Sequence, residues 1–262
     1  MMSRAPPPHG RVRRIEKLEE FTEPGEIEEI EETEERSPGM PTLLHLDCSA
    51  RPESVSRQIS AEFATAWRSA HPDGRVVHRD LTATPARHVD AAHIELVTRL
   101  ETAGTVDLDE ARGVARNATE RRSWRHSWEM IDELLACDVL LIGLPMYNFS
   151  VPSTFKAWFD RVAIPPLIVD SRTGKGPLSG LRTVVATARG GSYGPGSPRH
   201  GDDFQEPYLR AAFRMVGLAD DLQFLHAEMT KSGYVPQLAS YRKTAIDSLR
   251  QAVERAREIA RD

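Results

Sequence analysis

One uninterrupted apolar run constrains the fold of this chain more than any other feature. Residues 139–144 read VLLIGL, follow Asp138 and stop at Pro145. A run of this kind is typical of a strand that is buried on both faces of a parallel sheet. The chain therefore has to supply helices that cover both sides of that strand.

Further strand candidates alternate with stretches that have helical spacing. After Thr42–Leu46, the apolar residues Ile59, Phe63 and Trp67 repeat at helical intervals. The strand candidates are residues 42–46, 75–81, 138–144, 181–188 and 222–226, and the helix candidates are 58–67, much of 88–136, 153–163, 207–216 and 240–261. This alternation predicts an α/β domain with a doubly wound parallel five-stranded sheet and helices on both faces. Residues 167–181 interrupt the pattern as an excursion, which could be a hairpin.

The first forty residues differ in composition from the rest of the chain. They hold 11 of the 39 acidic residues and 6 of the 34 basic ones, a net charge of −5 that equals the formal charge of the whole chain. We expect residues 1–40 to be a disordered acidic extension, with an acidic interaction tail as the functional alternative, and residues 41–262 to be the folded domain. The folded part has 28 residues of each sign, so a nucleic acid partner is not expected.

The cysteine count and the hydropathy pattern predict the compartment. Cys48 and Cys137 are the only cysteines, which implies neither a disulfide framework nor a cysteine metal site, and no metal is predicted. No apolar run approaches the ~20 residues of a membrane span, and the N-terminus lacks the apolar core of a signal peptide. We therefore expect a cytoplasmic protein without membrane insertion.

The loop after the first strand is rich in hydroxyl groups. Residues 48–56 read CSARPESVS, which matches neither a dinucleotide fingerprint nor a P-loop. Ser49, Ser54 and Ser56 precede a helix, where free N–H groups favour a phosphate. The alternative is that Ser54 or Ser56 only caps the helix.

The loop after the central strand places large side chains where polar residues are usual. Residues 145–149 read PMYNF, and a flat, partly polar ring could stack there, with Asn148 as an amide donor and acceptor. Alternatively, Met146 and Phe149 fill the core and Asn148 is a turn residue. Ser153 could cap the following helix.

The loop after the fourth strand contains the spacing of a serine hydrolase. Gly190, Ser192 and Gly194 spell G-x-S-x-G, but residues 194–198 read GPGSP. A nucleophile elbow needs a helix directly after the serine, and this sequence cannot begin one. We expect the glycines instead to bring backbone N–H groups against a flat ligand.

Three segments together resemble the FMN-dependent NADH-azoreductase and NADH:quinone oxidoreductase family, which has a flavodoxin-like fold. They are Cys48-Ser49 with Ser54–Ser56, the PMYNF segment, and Ala188–Gly191. The similarity runs from about Leu43 to the C-terminal helix and leaves out residues 1–40. The chain departs from the usual family pattern at Cys48 and Ala188, where serines are usual.

The resemblance implies a set of cofactor-binding residues. The phosphate of FMN would be held by Ser49, Ser54, Val55 and Ser56. The isoalloxazine would be lined by Pro145, Met146, Tyr147, Asn148 and Phe149, and its pyrimidine edge would meet Ala188, Arg189, Gly190 and Gly191.

The resemblance also implies a ping-pong reaction. NADH or NADPH would give a hydride to the bound FMN and leave, and a quinone or azo compound would take its place. Tyr147, Tyr193 and His200 are candidate proton donors because each lies in or near a site loop. Family members are typically homodimers, and a homodimer is therefore expected. Two alternatives remain open on the sequence: a non-enzymatic electron carrier of flavodoxin type, and a serine hydrolase that uses Ser192.

Overall fold

The structure is a computed structural model that describes residues 40–104, 107–197 and 199–262. The extension predicted over residues 1–40 lies outside the described residues, apart from Met40. Within the described residues a single sheet has five strands, all parallel, in the order β2-β1-β3-β4-β5. The strands are β1 Thr42–Asp47, β2 Arg75–Asp80, β3 Val139–Pro145, β4 Arg182–Ala188 and β5 Asp221–Ala227.

Seven α-helices accompany these strands in the described part of the chain: α1 Val55–Ala70, α2 Ala91–Ala103, α3 Leu108–Arg112, α4 Ala118–Ala136, α5 Ser153–Val162, α6 Gln205–Val216 and α7 Arg242–Ile259. Short 3₁₀ helices occupy Pro165–Leu167, His200–Asp202, Thr230–Gly233 and Pro236–Tyr241. None of the described helices is long and apolar enough to cross a membrane.

The side chains of β1 show why both faces of the sheet are covered. Leu44 and Leu46 belong to an apolar cluster that includes residues of α2, α4, α5 and α6. Leu43, on the opposite side, packs in a second cluster with residues of α1 and α7. Successive side chains of a strand point to opposite faces, so an uninterrupted apolar strand needs two cores. The predicted doubly wound architecture is confirmed.

The long helical stretch predicted over residues 88–136 divides into three helices because it contains its own stop and start signals. Gly104 ends α2 in the left-handed conformation, with φ of 65°. The side chains of Asp90, Asp107 and Asn117 accept hydrogen bonds from N–H groups at the starts of α2, α3 and α4. Each such cap contributes about 1 kcal/mol to its helix.

Two local expectations are wrong. Residues 167–181 contain no strand and form turns rather than a hairpin; the N–H of Val169 is held by the carbonyl of Met215 at 3.0 Å. Ser153 is the first residue of α5, and Pro152 occupies the N-cap position. Proline fixes the backbone there without a side-chain oxygen, so this helix begins without a side-chain cap.

The strand order reverses direction between β1 and β3, because β2 lies on one side of β1 and the later strands lie on the other. At such a switch point the loops that leave neighbouring strands diverge to opposite faces of the sheet. A crevice opens between them at the carboxyl ends of the strands, and it is there that the loops rich in site candidates meet.

Candidate active site

A cavity of about 400 Å³ lies at the carboxyl ends of the strands. It is lined by Ser49, Arg51, Glu53, Ser54, Val55, Pro145, Met146, Tyr147, Asn148, Ala188, Gly190, Thr230, Lys231 and Tyr234. Segments that follow β1, β3, β4 and β5 therefore converge on one space. This volume is within the range of small-molecule and cofactor sites.

The β1–α1 loop leaves the start of α1 available to a ligand. Ser54 occupies the N-cap position, but its side chain makes no cap hydrogen bond. Its hydroxyl lies 3.0 Å from the hydroxyl of Ser56 instead. The first N–H groups of an α-helix have no intrahelical partner, so here they are free to bind an anion beside the hydroxyl of Ser54.

The side chain of Arg57 fixes the position of this loop through hydrogen bonds. Its guanidinium donates to the carbonyl of Ser49 at 2.7 Å from Nη2 and at 3.2 Å from Nε, and Nη2 also donates to Asp80 at 2.8 Å. Burial alone would raise the pKa of Asp80, but hydrogen bonds from Thr82 and Arg57 lower it to about 2. The carboxylate therefore stays charged and fixes the arginine, which in turn fixes the Ser49 carbonyl.

The β3–α5 loop makes a tight turn under strain. Tyr147 and Ser150 exchange two backbone hydrogen bonds of 3.0 Å, and the central residues Asn148 and Phe149 have φ of 47° and 70°. Positive φ at both central positions is the type I′ pattern, which asparagine tolerates better than phenylalanine. The hydroxyl of Tyr147 accepts a hydrogen bond from the N–H of Ala50 at 3.3 Å, and so links this turn to the β1–α1 loop.

The loop after β4 is anchored by a buried arginine. The Arg189 side chain is only 2% exposed, and its Nη1 lies 3.0 Å from Asp203 and 3.8 Å from Glu228. The backbone N–H of Arg189 donates to the carbonyl of Ala227, and the backbone carbonyl of Arg189 accepts from the N–H of Thr230. The Arg189 side chain therefore points into the protein, and the neighbouring Gly190 is the part of the loop that lines the cavity.

Two cations line the cavity without a carboxylate partner in the described part of the chain. The guanidinium of Arg51 stacks over the ring of Tyr234 at 5.9 Å, and the aliphatic part of Lys231 lies against Gly190. Neither side chain forms an ion pair with a described residue. An unpaired positive charge at a cavity wall favours an anionic ligand.

Comparison with known proteins shows which family the chain belongs to. Residues 41–253 match the family model described as a flavodoxin-like fold. The chain is 42% identical over 223 residues to a protein of Nocardia farcinica named FMN-dependent NADH:quinone oxidoreductase, covering 85% of this chain and 99% of that protein. It is 38% identical to a protein of the same name from Nostoc punctiforme, covering 81% of this chain and 100% of the relative.

The chain belongs to the FMN-dependent NADH:quinone oxidoreductase family. The fold agrees with a crystal structure of an FMN-dependent NADH-azoreductase from Bacillus anthracis in complex with FMN, with a TM-score of 0.65 and 19% identity over 84% of this chain and 98% of that one. The resemblance and the flavodoxin-like fold inferred from the three loops are confirmed.

The structure brings together most of the residues that the family resemblance implied. Those that line the cavity are Ser49, Ser54, Val55, Pro145, Met146, Tyr147, Asn148, Ala188 and Gly190. Four others lie next to it without lining it: Ser56 is buried behind Ser54, Phe149 is 37% exposed at the turn, and Arg189 and Gly191 contribute backbone contacts to the segment after β5. The role of all these residues as ligands of the cofactor, both those that line the cavity and those beside it, remains a prediction.

The three candidate proton donors of this family member occupy different environments. Tyr147 lines the cavity and is 39% exposed. Tyr193 is only 6% exposed, lies edge-to-face with Phe149 at 6.5 Å and does not line the cavity. The His200 Nδ1 lies 3.1 Å from the carbonyl of Tyr193, so His200 is near the loop but outside the cavity wall.

The G-x-S-x-G spacing does not form a nucleophile elbow. The hydroxyl of Ser192 donates to Glu228 at 2.6 Å, and no histidine among the described residues bonds to it. The next α-helix begins only at Gln205, whereas an elbow needs one directly after the serine. The serine hydrolase alternative therefore lacks both the histidine and the turn that a Ser-His-Asp site requires.

Five cavity residues were missed by the sequence analysis: Arg51, Glu53, Thr230, Lys231 and Tyr234. Arg51 and Glu53 lie in a loop that the sequence had singled out for its serines. The other three follow β5, and the rule that ligands bind at the carboxyl ends of parallel strands would have pointed to them had it been applied to the last strand.

Proposed function

We propose that this protein is an FMN-dependent oxidoreductase that transfers a hydride from NADH or NADPH to quinones and azo compounds. The observation that carries the proposal is the meeting of a helix start without a side-chain cap and the loops after β3 and β4 in one cavity, in a chain that aligns with 99% of a relative of that name. These two features suit the two ends of a flavin mononucleotide.

The phosphate of FMN would bind at the start of α1. The free N–H groups of its first turn, the hydroxyl of Ser54 and the buried Ser49 all lie at this end, and the unpaired guanidinium of Arg51 adds positive charge. Hydrogen bonds to a charged phosphate are about twice as strong as those between neutral groups. The departure at Cys48 does not affect these contacts, because that side chain is buried in the core.

The ring of FMN would lie between the segment after β3 and the segment after β4. Met146, Tyr147 and Asn148 form one wall, and Gly190 contributes backbone with no side chain in the way. When bound, FMN supplies the hydride chemistry, and the protein supplies orientation and polarity. Lys231, whose aliphatic stem lies against Gly190, lines the cavity with an unpaired positive charge, which favours an anionic ligand at this end as well.

Among the three candidates, Tyr147 is best placed to give a proton to a reduced acceptor. Its oxygen accepts a hydrogen bond from the N–H of Ala50, which leaves its own O–H free to donate. Tyr193 and His200 would need the loop after β4 to move before either side chain could reach an acceptor in the cavity.

We also propose a cytoplasmic homodimer. The exposed rings of Phe149 and Phe204 lie next to the cavity, where the N–H of Phe204 donates to the carbonyl of Phe149 at 3.1 Å. Exposed aromatic side chains beside a site are typical of an interface. Both cysteines are free and buried, as in proteins of a reducing compartment. Light scattering on the purified protein would test the dimer, and a monomer at all concentrations would contradict it.

The decisive experiment for the activity is an absorbance spectrum of the purified protein, before and after anaerobic addition of NADH or NADPH. We expect a yellow protein whose flavin absorption is lost on reduction and returns when a quinone is added. A protein that binds FMN but is not reduced directly would be an electron carrier instead. A colourless protein that does not bind added FMN would contradict the proposal.

A further inference from the structure

A second cluster of ligand-type side chains lies on the sheet, apart from the cavity lining. His45 of β1 and His78 of β2 are paired in the strand register, and Asp47 lies two residues after His45 and hence on the same face. The His78 Nε2 is 3.0 Å from Asp47 Oδ2, and the His45 Nε2 is 3.6 Å from Asp47 Oδ1. One ligand atom from each residue lies within 4.8 Å of the other two.

The buried imidazole of His45 is the feature that indicates a ligand. The residue is only 6% exposed, and its Nε2 is buried without a hydrogen-bond partner among the described residues. It points toward Asp47 at a distance too long for a hydrogen bond. Burying a polar atom without a partner is unfavourable, and a bound cation would remove this cost by accepting the nitrogen lone pair.

We propose that His45, Asp47 and His78 bind a divalent transition-metal ion of the zinc, cobalt or nickel type. Metal–nitrogen and metal–oxygen bonds of about 2.0–2.2 Å place the ligands of a tetrahedral ion about 3.3 Å apart. The His78 Nε2–Asp47 Oδ2 and His45 Nε2–Asp47 Oδ1 separations of 3.0 and 3.6 Å lie on either side of that value. Small side-chain rotations would bring both nitrogens and a single carboxylate oxygen, which already lie within 4.8 Å of one another, to this spacing. Two imidazoles and one carboxylate form a ligand set that suits these ions rather than magnesium or calcium.

The surroundings allow an ion to enter and to complete its coordination. His45 and Asp47 are buried, whereas the side chain of His78 is 46% exposed at the sheet edge. Solvent can therefore reach the cluster from the His78 side and supply a water as a fourth ligand. A site with three protein ligands and one water is a common arrangement for zinc.

Arg57 sets the strength of this site. Its Nη1 lies 3.3 Å from Asp47 Oδ2, and its positive charge opposes a cation. The same guanidinium also bonds to the Ser49 carbonyl and to Asp80, so it keeps partners when the metal takes one lone pair of Asp47. A carboxylate has about four lone-pair sites. We therefore expect weaker binding than at a zinc site without a neighbouring positive charge.

The test is metal titration of the full-length, flavin-loaded protein, prepared without a polyhistidine tag and stripped with a chelator. Zinc chloride is titrated by calorimetry, and cobalt chloride by its visible absorption, which is intense when cobalt is tetrahedral. We expect one equivalent of metal, and an affinity that falls at least about tenfold in His78→Ala. His88→Ala, at another exposed histidine, should bind as the wild type does.

His78 is an exposed residue, so His78→Ala is expected to fold, and circular dichroism checks this. Asp47→Asn supplies a second loss of affinity through a different ligand. Every variant retains the N-terminal glutamates and the flavin phosphate, so metal bound there contributes equally to all of them. Binding that is absent, that is unchanged in both His78→Ala and Asp47→Asn, or that falls equally in His88→Ala would overturn the proposal.

Discussion

Lys231 lies across Gly190 so closely that a β-carbon at position 190 would stand 2.8 Å from both the Cδ and the Cε atoms of the lysine. The two residues come from segments that follow β4 and β5, and they meet at the cavity wall. The absence of a side chain at Gly190 therefore leaves the space that the aliphatic stem of Lys231 occupies.

Gly190→Ala tests this relationship. The methyl group would displace Lys231, but this costs little folding free energy because the displaced atoms belong to the flexible end of a lysine side chain. We expect stability close to that of the wild type and FMN affinity lower by about tenfold, or 1.4 kcal/mol, as measured by flavin fluorescence titration. Gly194→Ala is the matched control, because a β-carbon there meets nothing within 4 Å. Equal affinities in both variants would contradict this role of Gly190.

Ser54→Ala separates ligand binding from helix capping. An N-cap serine usually contributes about 1 kcal/mol to a helix, but Ser54 makes no side-chain cap bond. We therefore expect the unfolding free energy of the apoprotein to fall only by the about 1 kcal/mol of the lost hydrogen bond to the buried hydroxyl of Ser56, while FMN affinity falls about tenfold. Ser69→Ala, at an exposed hydroxyl of the same helix, should leave FMN affinity unchanged. Normal FMN affinity in Ser54→Ala would show that the Ser54 hydroxyl has only a structural role.

The sheet and most of the cavity could be predicted because they depend on local patterns. The apolar run 139–144 defines a central strand, and the carboxyl-end rule then selects the loops that contain Ser54, Met146 and Gly190. The fold and its family were therefore accessible from the sequence alone.

The remaining features depend on contacts between distant residues. Tyr193 closely follows Gly190 and Gly191 in sequence, yet its ring is buried. Its backbone N–H donates to the carboxylate of Glu228, which lies 35 residues further along the chain. Lys231 reaches the cavity because the backbone N–H groups of Met229 and Thr230 donate hydrogen bonds to carbonyl groups of the loop after β4. The pairing of His45 with His78 needs the register of two strands, which composition and periodicity do not specify.

The strained turn at the site gives a prediction that reverses a common rule. Glycine is usually less favourable than alanine in ordered backbone, but Phe149 has φ of 70°. An alanine at such a φ costs about 1 kcal/mol. We expect Phe149→Gly to be more stable than Phe149→Ala by about 1 kcal/mol in urea unfolding, since both variants lose the same ring.

The matched control is the same pair of substitutions at Arg172, an exposed turn residue that is not among those with positive φ. There the order should be the usual one, with alanine the more stable. If Phe149→Ala were at least as stable as Phe149→Gly, the left-handed conformation at position 149 would not cost free energy.

His93 predicts how stability depends on pH. Burial, together with the positive charge of Arg161, lowers the pKa of His93 from 6.5 to about 4. Because this pKa is lower in the folded protein than in the unfolded chain, the unfolded chain takes up the proton first as the pH falls. The stabilisation from the neutral imidazole is therefore complete above pH 6.5 and is lost progressively down to about pH 4, by about 3 kcal/mol in total.

His93→Gln removes this titration, so its unfolding free energy should change less between pH 6.5 and pH 4 than that of the wild type. The measurement is urea unfolding at several pH values across that range. The slope with pH decides the question rather than the absolute stability, because the variant also loses the 3.3 Å contact between His93 Nδ1 and the hydroxyl of Ser127. His88→Gln, at an exposed histidine, should keep the wild-type slope. A slope that is the same in His93→Gln and in the wild type would mean that other groups account for the loss of stability in acid.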